Sequence, residues 1–418
     1  MKVSRTIAGI GVFALLALAG CATSDSDTNT AQSTEPIKIG MIFPLSGSLA
    51  QGGQRNVQGI QIAVDQVNAA GGVLGRQVEL VSTDAPDPAT AVANANRLIS
   101  QDGVKIILGS VSSDIALAAA PVADRNKVIF WEVQAVSNKL TDLGYQYVFR
   151  TVAPASALGE AAANYALGDV AKQLGKDKAS LRVAVMNIQG SYGEDTTKGV
   201  TDTLTAAGVT PVDKSDYPGT SKDLTSLILK QKQANPDVVI STSYPADTIL
   251  YMKQAAQLDF HPKAYIGTGA GQTTAQFLEG VGDGAQGVLS AASPTTVNPS
   301  QLSADAAAAA KSFAADYKAK YGSDPDQGAI LAYVGMMDLL KGVLPKAGAV
   351  ESDKIKAAAT SLDQPLGSSI NGWGAKFDSK GQNTRASVII VQWQNKVMQI
   401  VSPKELASAG LQSVTPSW

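Results

Sequence analysis

The chain has 418 residues, room for two or three domains at roughly 150 residues each, and its 44% apolar and 17% charged content is that of a folded globular protein, not a disordered polyelectrolyte or a coiled coil. Thirty-four Lys and Arg stand against 36 Asp and Glu, a formal net charge of -2, so there is no basic surplus to displace phosphate counterions and nucleic acid is not an expected partner. One cysteine and one histidine leave no material for an intrachain disulfide, a Cys/His zinc site, a Cys–His nucleophile pair or a His-rich metal cluster, and no metal or cofactor is expected.

At the start of the chain, Lys2 and Arg5 precede an uncharged apolar run from Ile7 to Ala19 that ends in Leu18-Ala19-Gly20-Cys21. The run is shorter than the roughly 20 residues of a membrane-spanning helix, and small residues before the cysteine suit a cleavage site, so residues 1–20 are expected to be an export signal. Leu-Ala-Gly-Cys resembles the lipobox of bacterial lipoproteins. That resemblance implies cleavage before Cys21, acylation of Cys21, and a membrane anchor outside the cytoplasm; a plain signal peptide with a chance cysteine is the alternative. Residues 21–35 carry no Val, Ile, Leu or aromatic side chain and are expected to be a flexible tether with a reach of about 20 Å. Folding is expected to begin near Pro36.

From there short β-rich runs alternate with segments of helical period, the pattern of βαβ units around a parallel sheet. Ile37 to Phe43 reads as a strand. A helix carrying Val57, Ile60, Val64 and Val67 follows and stops at Gly71-Gly72. Strands are then expected at Gln77 to Ser82, Val104 to Leu108 and Lys127 to Trp131, with helices through Ala91 to Ile99 and Ser112 to Asp124 between them. The alternation restarts with strands at Arg182 to Met186, from Val209, at Asp237 to Ser241 and at Ala264 to Ile266, separated by helices near Glu194 to Ala207, Leu224 to Gln233 and up to Leu258. After Gln286 come a strand, long helices at Ala304 to Tyr321 and Gln327 to Leu344, a shorter one from Ser352, and strands including Ser387 to Trp393. Two α/β lobes that share this tail require several chain crossings, and so a hinge beside a cleft.

Familiar catalytic motifs fail on context. Gly282-Asp-Gly-Ala-Gln-Gly287 has dinucleotide-fingerprint spacing, but it follows a helix and precedes a strand, the reverse of what a pyrophosphate needs, so it reads as a turn. Gly267 to Thr273 is glycine-rich after a strand and lacks the P-loop lysine; its backbone is free to approach a ligand. Gly109-Ser-Val-Ser-Ser113 misses nucleophile-elbow spacing. His261, before Pro262, reads as an isolated loop histidine.

In open α/β sheets ligands bind outside the carboxyl ends of the strands. Those positions hold Ser46 within Pro44 to Gly47, Ser112 and Ser113, Glu132 to Ser137, Tyr192 within Gln189 to Gly193, Tyr244, and Gly269 within Gly267 to Gln272. This Ser, Tyr, Gly and Gln palette hydrogen-bonds a small solute without offering a nucleophile–base pair. Ser112 and Ser113 also suit helix caps, Tyr192 and Tyr244 suit rim or core packing, and Trp131 suits the core.

The lipobox, the tether and two lobes opening with Ile-Lys-Ile-Gly-Met-Ile-Phe-Pro-Leu-Ser-Gly resemble an ABC-transporter solute-binding lipoprotein of the branched-chain amino-acid-binding family. Asn68 to Arg76, Gly109 to Ser113, Ala135 to Ser137, Tyr147 to Arg150, Gly190 to Gly193 and Asn371 to Gly374 fall in the family's order. The resemblance implies a periplasmic binding protein type I fold: α/β, two Rossmann-like lobes with parallel central sheets, three crossovers and a hinge. Residues 36–153 and 288–370 are then expected in lobe 1, and 154–287 and 371–418 in lobe 2. It implies a monomeric, non-catalytic extracytoplasmic protein that captures a small solute and delivers it to permease subunits with a cytoplasmic ATPase; a sensor reporting to a membrane signalling partner is the alternative. It places Ser112 or Ser113, the Ala135 backbone and the Ser137 side chain on a ligand from lobe 1, and Tyr192 and Tyr244 from lobe 2. Where the family's amino-acid binders carry an acid for the ligand ammonium, this chain has Gly267 to Gly271. Either Glu132 supplies that charge or the ligand is not an α-amino acid, relatives being known for amides, urea and carboxylates.

Overall fold

The computed structural model describes residues 35–295 and 297–418; the expected signal, most of the tether and Cys21 lie outside the described residues. Strands β1 (Ile37–Phe43), β2 (Val78–Asp84), β3 (Ile106–Gly109), β4 (Ile129–Glu132) and β5 (Val148–Arg150) form an all-parallel sheet in the order β2-β1-β3-β4-β5. Strands β6 (Val183–Ile188), β7 (Asp213–Tyr217), β8 (Val238–Thr242), β9 (Ala264–Thr268), β10 (Leu289–Ala292), β11 (Ile389–Gln394) and β12 (Val397–Ser402) form a second sheet in the order β12-β11-β10-β9-β8-β6-β7. Only the β10–β11 and β11–β12 pairs are antiparallel. The α/β, two-lobe, parallel-sheet expectation holds.

Each central strand is apolar on both faces because helices cover both. In lobe 1 the Ala50–Ala69 helix lays Ile60, Val64 and Val67 on one face of the sheet, together with the Ala304–Tyr321 and Gln327–Met337 helices. The Pro88–Ser100 and Ser113–Arg125 helices cover the other face. Trp131 is fully buried and donates from Nε1 to the carbonyl of Gly335 at 2.8 Å, pinning β4 to the Gln327–Met337 helix. In lobe 2 the Ala155–Tyr165 and Ser191–Ala206 helices back one face, and the Thr225–Ala234, Pro245–Gln257 and Ala275–Val281 helices the other.

The expected lobe boundaries move in two places. β10 hydrogen-bonds to β9, because the β9 edge needs a partner, so the strand assigned to lobe 1 by the 287/288 boundary lies in the second sheet. Phe377 packs at 5.1 Å from Trp131 and 5.6 Å from Phe149, ring to ring, so the stretch after 371 remains on lobe 1. The chain passes between lobes after β5, between β10 and the Ala304–Tyr321 helix, and between Asn383 and β11, three crossings among the described residues. Two elements lack a sequence signal: β5 has three residues, and the Ala155–Tyr165 helix buries Ala162 and Ala163 in place of larger residues. Gly282–Ala285 is a 3-10 turn between a helix and β10, as its context indicated.

The Gln327–Ala347 run has the length and hydropathy of a membrane span, but 78% of its most apolar window is buried inside the lobe, so it is a core helix. Its middle, Asp338–Val343, widens into a π-turn. Asp338 is 5% exposed, its Oδ2 has no hydrogen-bond partner, and burial pushes its carboxyl up to about 8. Unfolded, the same group titrates near about 3.9, so the folded state holds this proton more tightly. The sign follows: stability is full below about pH 4 and falls as pH rises toward about 8. Asp338→Asn is expected to remove that slope. Melting temperatures of the two proteins measured between about pH 5 and about pH 8 should diverge in favour of the variant, and a pH-independent difference would count against a buried proton on Asp338.

Candidate functional site

The carboxyl ends of both sheets face each other across the crossings, and a cleft of about 490 Å³, its open mouth included, lies between them. Its polar lining comes from Ser113, Gln134, Tyr192, Tyr244, Ser293 and Gln327, with the backbone at Gly269 and Ala270. Val111, Val136, Val152, Leu158 and Leu331 form apolar walls. Beyond Gln134, Tyr244 and Gln327 the space continues into an outer chamber of about 550 Å³, bordered by Arg55 and Asp326. No Asp, Glu, Lys, Arg or His lines the inner part.

Four of the expected residues meet there: Ser113, Tyr192, Tyr244 and Gly269. Ser113 is 2% exposed and opens the Ser113–Arg125 helix. The Tyr192 and Tyr244 rings lie 5.5 Å apart at 44°, and Tyr192 donates to the carbonyl of Thr268. Burial raises both phenols well above their ordinary range, so they act as neutral donors. Ser112, just outside the cavity, sits beside the Tyr244 phenol and pulls the other way. Gly269 has φ +81°, and a Cβ there would sit 3.0 Å from the Tyr192 hydroxyl; glycine is required on both counts. The loop is held from below, where Gln272 donates to Ser243 and Thr248 and its carbonyl accepts from Trp393 Nε1 at 2.7 Å.

Ser46, Glu132, Ala135 and Ser137 lie elsewhere. Ser46 is exposed, and its backbone N–H is taken by Asp84 at 3.2 Å. Glu132 is fully buried and turned away from the cleft: its carboxylate accepts from the backbone N–H groups of Ser110, Gln134 and Ala135 at 2.7–2.8 Å. Burial pushes Glu132 up to about 8, opposed by those N–H groups and by Arg150, while burial pulls Arg150 down to about 10 against the attraction of Glu132. Glu132 therefore has no free face for a ligand ammonium. Because its carboxylate draws the Ala135 N–H inward, the alternation in this loop aims Gln134 and Val136 at the cavity and leaves Ala135 and Ser137 behind it. The register expected at Ala135 and Ser137 is off by one. Leu158, Ser293, Gln327 and Leu331 also line it; Ser293 directly follows β10, whereas the other three come from helices, which a strand-end rule does not reach.

Ser137 has a different partner. Its hydroxyl donates to Asp195 of lobe 2 at 2.5 Å, and the Asn138 N–H joins at 2.9 Å. In the opposite sense, Asp114 of lobe 1 accepts from Ser191 N at 3.1 Å and Ser191 Oγ at 2.5 Å. Lys139 pairs with Glu194 at 3.1 Å, and Thr273 donates to Gln327 at 2.8 Å. These contacts hold the lobes shut.

Two α/β lobes latched around a largely apolar cavity define a solute-binding protein of the clamshell type. A family model described as periplasmic binding protein matches residues 36–397. Leu/Ile/Val-binding protein homolog 8 of Brucella suis biovar 1 is 35% identical over 411 residues, 98% of this chain and 98% of that protein. The leucine binding protein LivK from Thermotoga maritima MSB8 has a TM-score of 0.75 at 26% identity, over 87% of this chain and 97% of that one. The branched-chain amino acid transporter substrate binding protein LivJ from Streptococcus pneumoniae, solved with isoleucine, has a TM-score of 0.73 at 25% identity, over 88% and 100%. The chain belongs to the periplasmic binding protein family, type I, in its branched-chain amino-acid-binding group, whose members work outside the cytoplasm.

Two outcomes are expected from this geometry. Glu132→Gln sets an amide NH2 against the backbone N–H groups that the carboxylate accepts from and should cost about 1–3 kcal/mol in denaturant unfolding, with no change in which solutes bind. Replacing Asp114 and Asp195 together by Ala removes the hydrogen bonds that join the lobes, whose net worth is modest because water replaces them in an open form. Small-angle scattering should then report a wider molecule, and solute affinity should fall by at least about tenfold; an unchanged radius of gyration would remove the latch.

Proposed function

We propose that this protein is the capture component of an ABC importer: it closes on a branched-chain amino acid or a related amide or carboxylate in the interlobe cavity and hands it to a membrane permease with a cytoplasmic ATPase. The observation that carries this reading is the interlobe cavity, apolar in its walls and fitted with a few neutral hydrogen-bonding groups, at the meeting of two strand-end surfaces. The names of the relatives point to the same class of solute. The chain itself performs no chemistry in this reading: the cavity lining holds no Asp, Glu, Lys or His to serve as a base for its hydroxyls. Acylated Cys21 would keep the lobes near the membrane on a short polar tether.

Thermal denaturation across amino acids, their amides and short carboxylates should single out one group, since a solute at 100 times its Kd stabilises the native state by about 2.7 kcal/mol. A deletion strain should then lose uptake of that solute in labelled form; unimpaired uptake of a solute that binds tightly would remove the transport role. Cys21→Ala should shift the protein from the membrane fraction to the soluble fraction on cell fractionation, and an unchanged distribution would remove the lipid anchor.

A further inference from the structure

Building on that capture reading, we propose that the solute is a monocarboxylate with a compact apolar body and no ammonium group. The inner cavity has no charged side chain on its wall, so an ammonium desolvated there would have no counter-charge, a cost of several kcal/mol. The acids around the cleft are already engaged. Asp114 holds Ser191, Asp195 holds Ser137 and Asn138, and Asp247 accepts from the Tyr244 N–H at 3.3 Å. Asp326, in the outer chamber, caps Ala329 at 3.1 Å and faces Arg55 at 3.9 Å, so a second cation there would compete with the guanidinium.

The groups left unengaged are donors. Ser113 Oγ accepts from the Ser137 N–H at 3.1 Å, while its own hydroxyl proton has no acceptor among the described residues, although the side chain is 2% exposed and lines the cavity. Gln134 turns its Oε1 to Asn56 and leaves its Nε2 protons without a protein partner among the described residues. The helices Ser113–Arg125 and Pro245–Gln257 begin at the cavity, at Ser113 and just after Tyr244, and their amino ends carry partial positive charge toward it. Asp114 offsets part of the first, but its carboxylate is spent on lobe 2. A carboxylate at Ser113 and Gln134 satisfies these donors, and a branched alkyl body fills the space between Val136, Leu158 and Leu331.

Calorimetric titration of protein freed of solute by unfolding and refolding separates the possibilities, with 4-methylpentanoate, leucine and 3-methylbutylamine as probes. The carboxylate is expected to bind at least about 100-fold more tightly than leucine, and the amine not at all. Leucine binding as tightly as the carboxylate, or more so, overturns the inference and leaves solute capture standing. No binding of the carboxylate also overturns it, and capture itself falls only if the wider solute screen finds no ligand either. Ala270→Glu then adds a carboxylate to the cavity wall at a residue on ordinary backbone. It should weaken 4-methylpentanoate by at least about tenfold and narrow or reverse the gap to leucine. A parallel loss for both probes, or no change in their ratio, counts against the charge argument.

Discussion

The buried pair of Glu132 and Arg150 organises the floor of the cleft. They end neighbouring parallel strands in register, and neither has water to turn to. Glu132 spends its lone pairs on backbone N–H groups from the loops after β3 and β4, while Arg150 donates to the carbonyls of Val136 and Ser137, to Thr141 and to Gln382. Each through its own hydrogen bonds, the two side chains tie three strand ends together and fasten the returning chain near the third crossing, whose Gly381 carbonyl accepts the Arg150 N–H. Charge left unpaired at this depth would cost more than most single interactions supply, so every loop around the pair must keep its place. The cavity floor is rigid because the acid beneath it is fully committed.

That commitment explains which parts of the site were legible in the amino-acid sequence. Strand ends are readable, because β-rich runs and the helices after them leave a periodic signal, and that reasoning reached Ser113, Tyr192, Tyr244 and Gly269. It failed by one residue at Gln134 to Ser137, where two alternations are possible and a buried contact decides between them. Glu132 read as a charge offered to a ligand, since nothing local marks a carboxylate as turned inward. Ser137 read as a ligand group, but its partner Asp195 is 58 residues away in the other lobe. Contacts of that separation leave no trace in spacing.

The fold was legible in its alternation and less so at its seams. β10 and the segment around Phe377 each lie on the opposite lobe from the one that even division of the tail suggests, because the β9 edge and the Trp131–Phe149 pocket each demand a partner. The helix Gln327–Met337 gathers several of these demands. It receives the Trp131 N–H at Gly335, packs against the Ala50–Ala69 helix so closely that a Cβ on Gly59 would meet the Ala329 carbonyl at 2.1 Å, and opens at Gln327 on the cavity. Its apolar sequence reflects burial on all sides.

Closure must draw its free energy from the cavity, because the latch alone is weak. The Lys139–Glu194 pair is about half exposed on both sides and contributes at most about 1 kcal/mol. The Asp195 and Asp114 bonds replace bonds to water that the same groups make in an open form, so their net gain is modest. Gln327 differs, since it bridges Thr273 to the carbonyl of Ser293 while facing the cavity, so a solute that packs against it also orders the bridge. A solute contacting Ser113 and Gln134 on one lobe and Tyr192, Tyr244 and the Gly269 loop on the other gains all of those contacts only when the lobes are shut, and that differential affinity is what shifts the population toward closure.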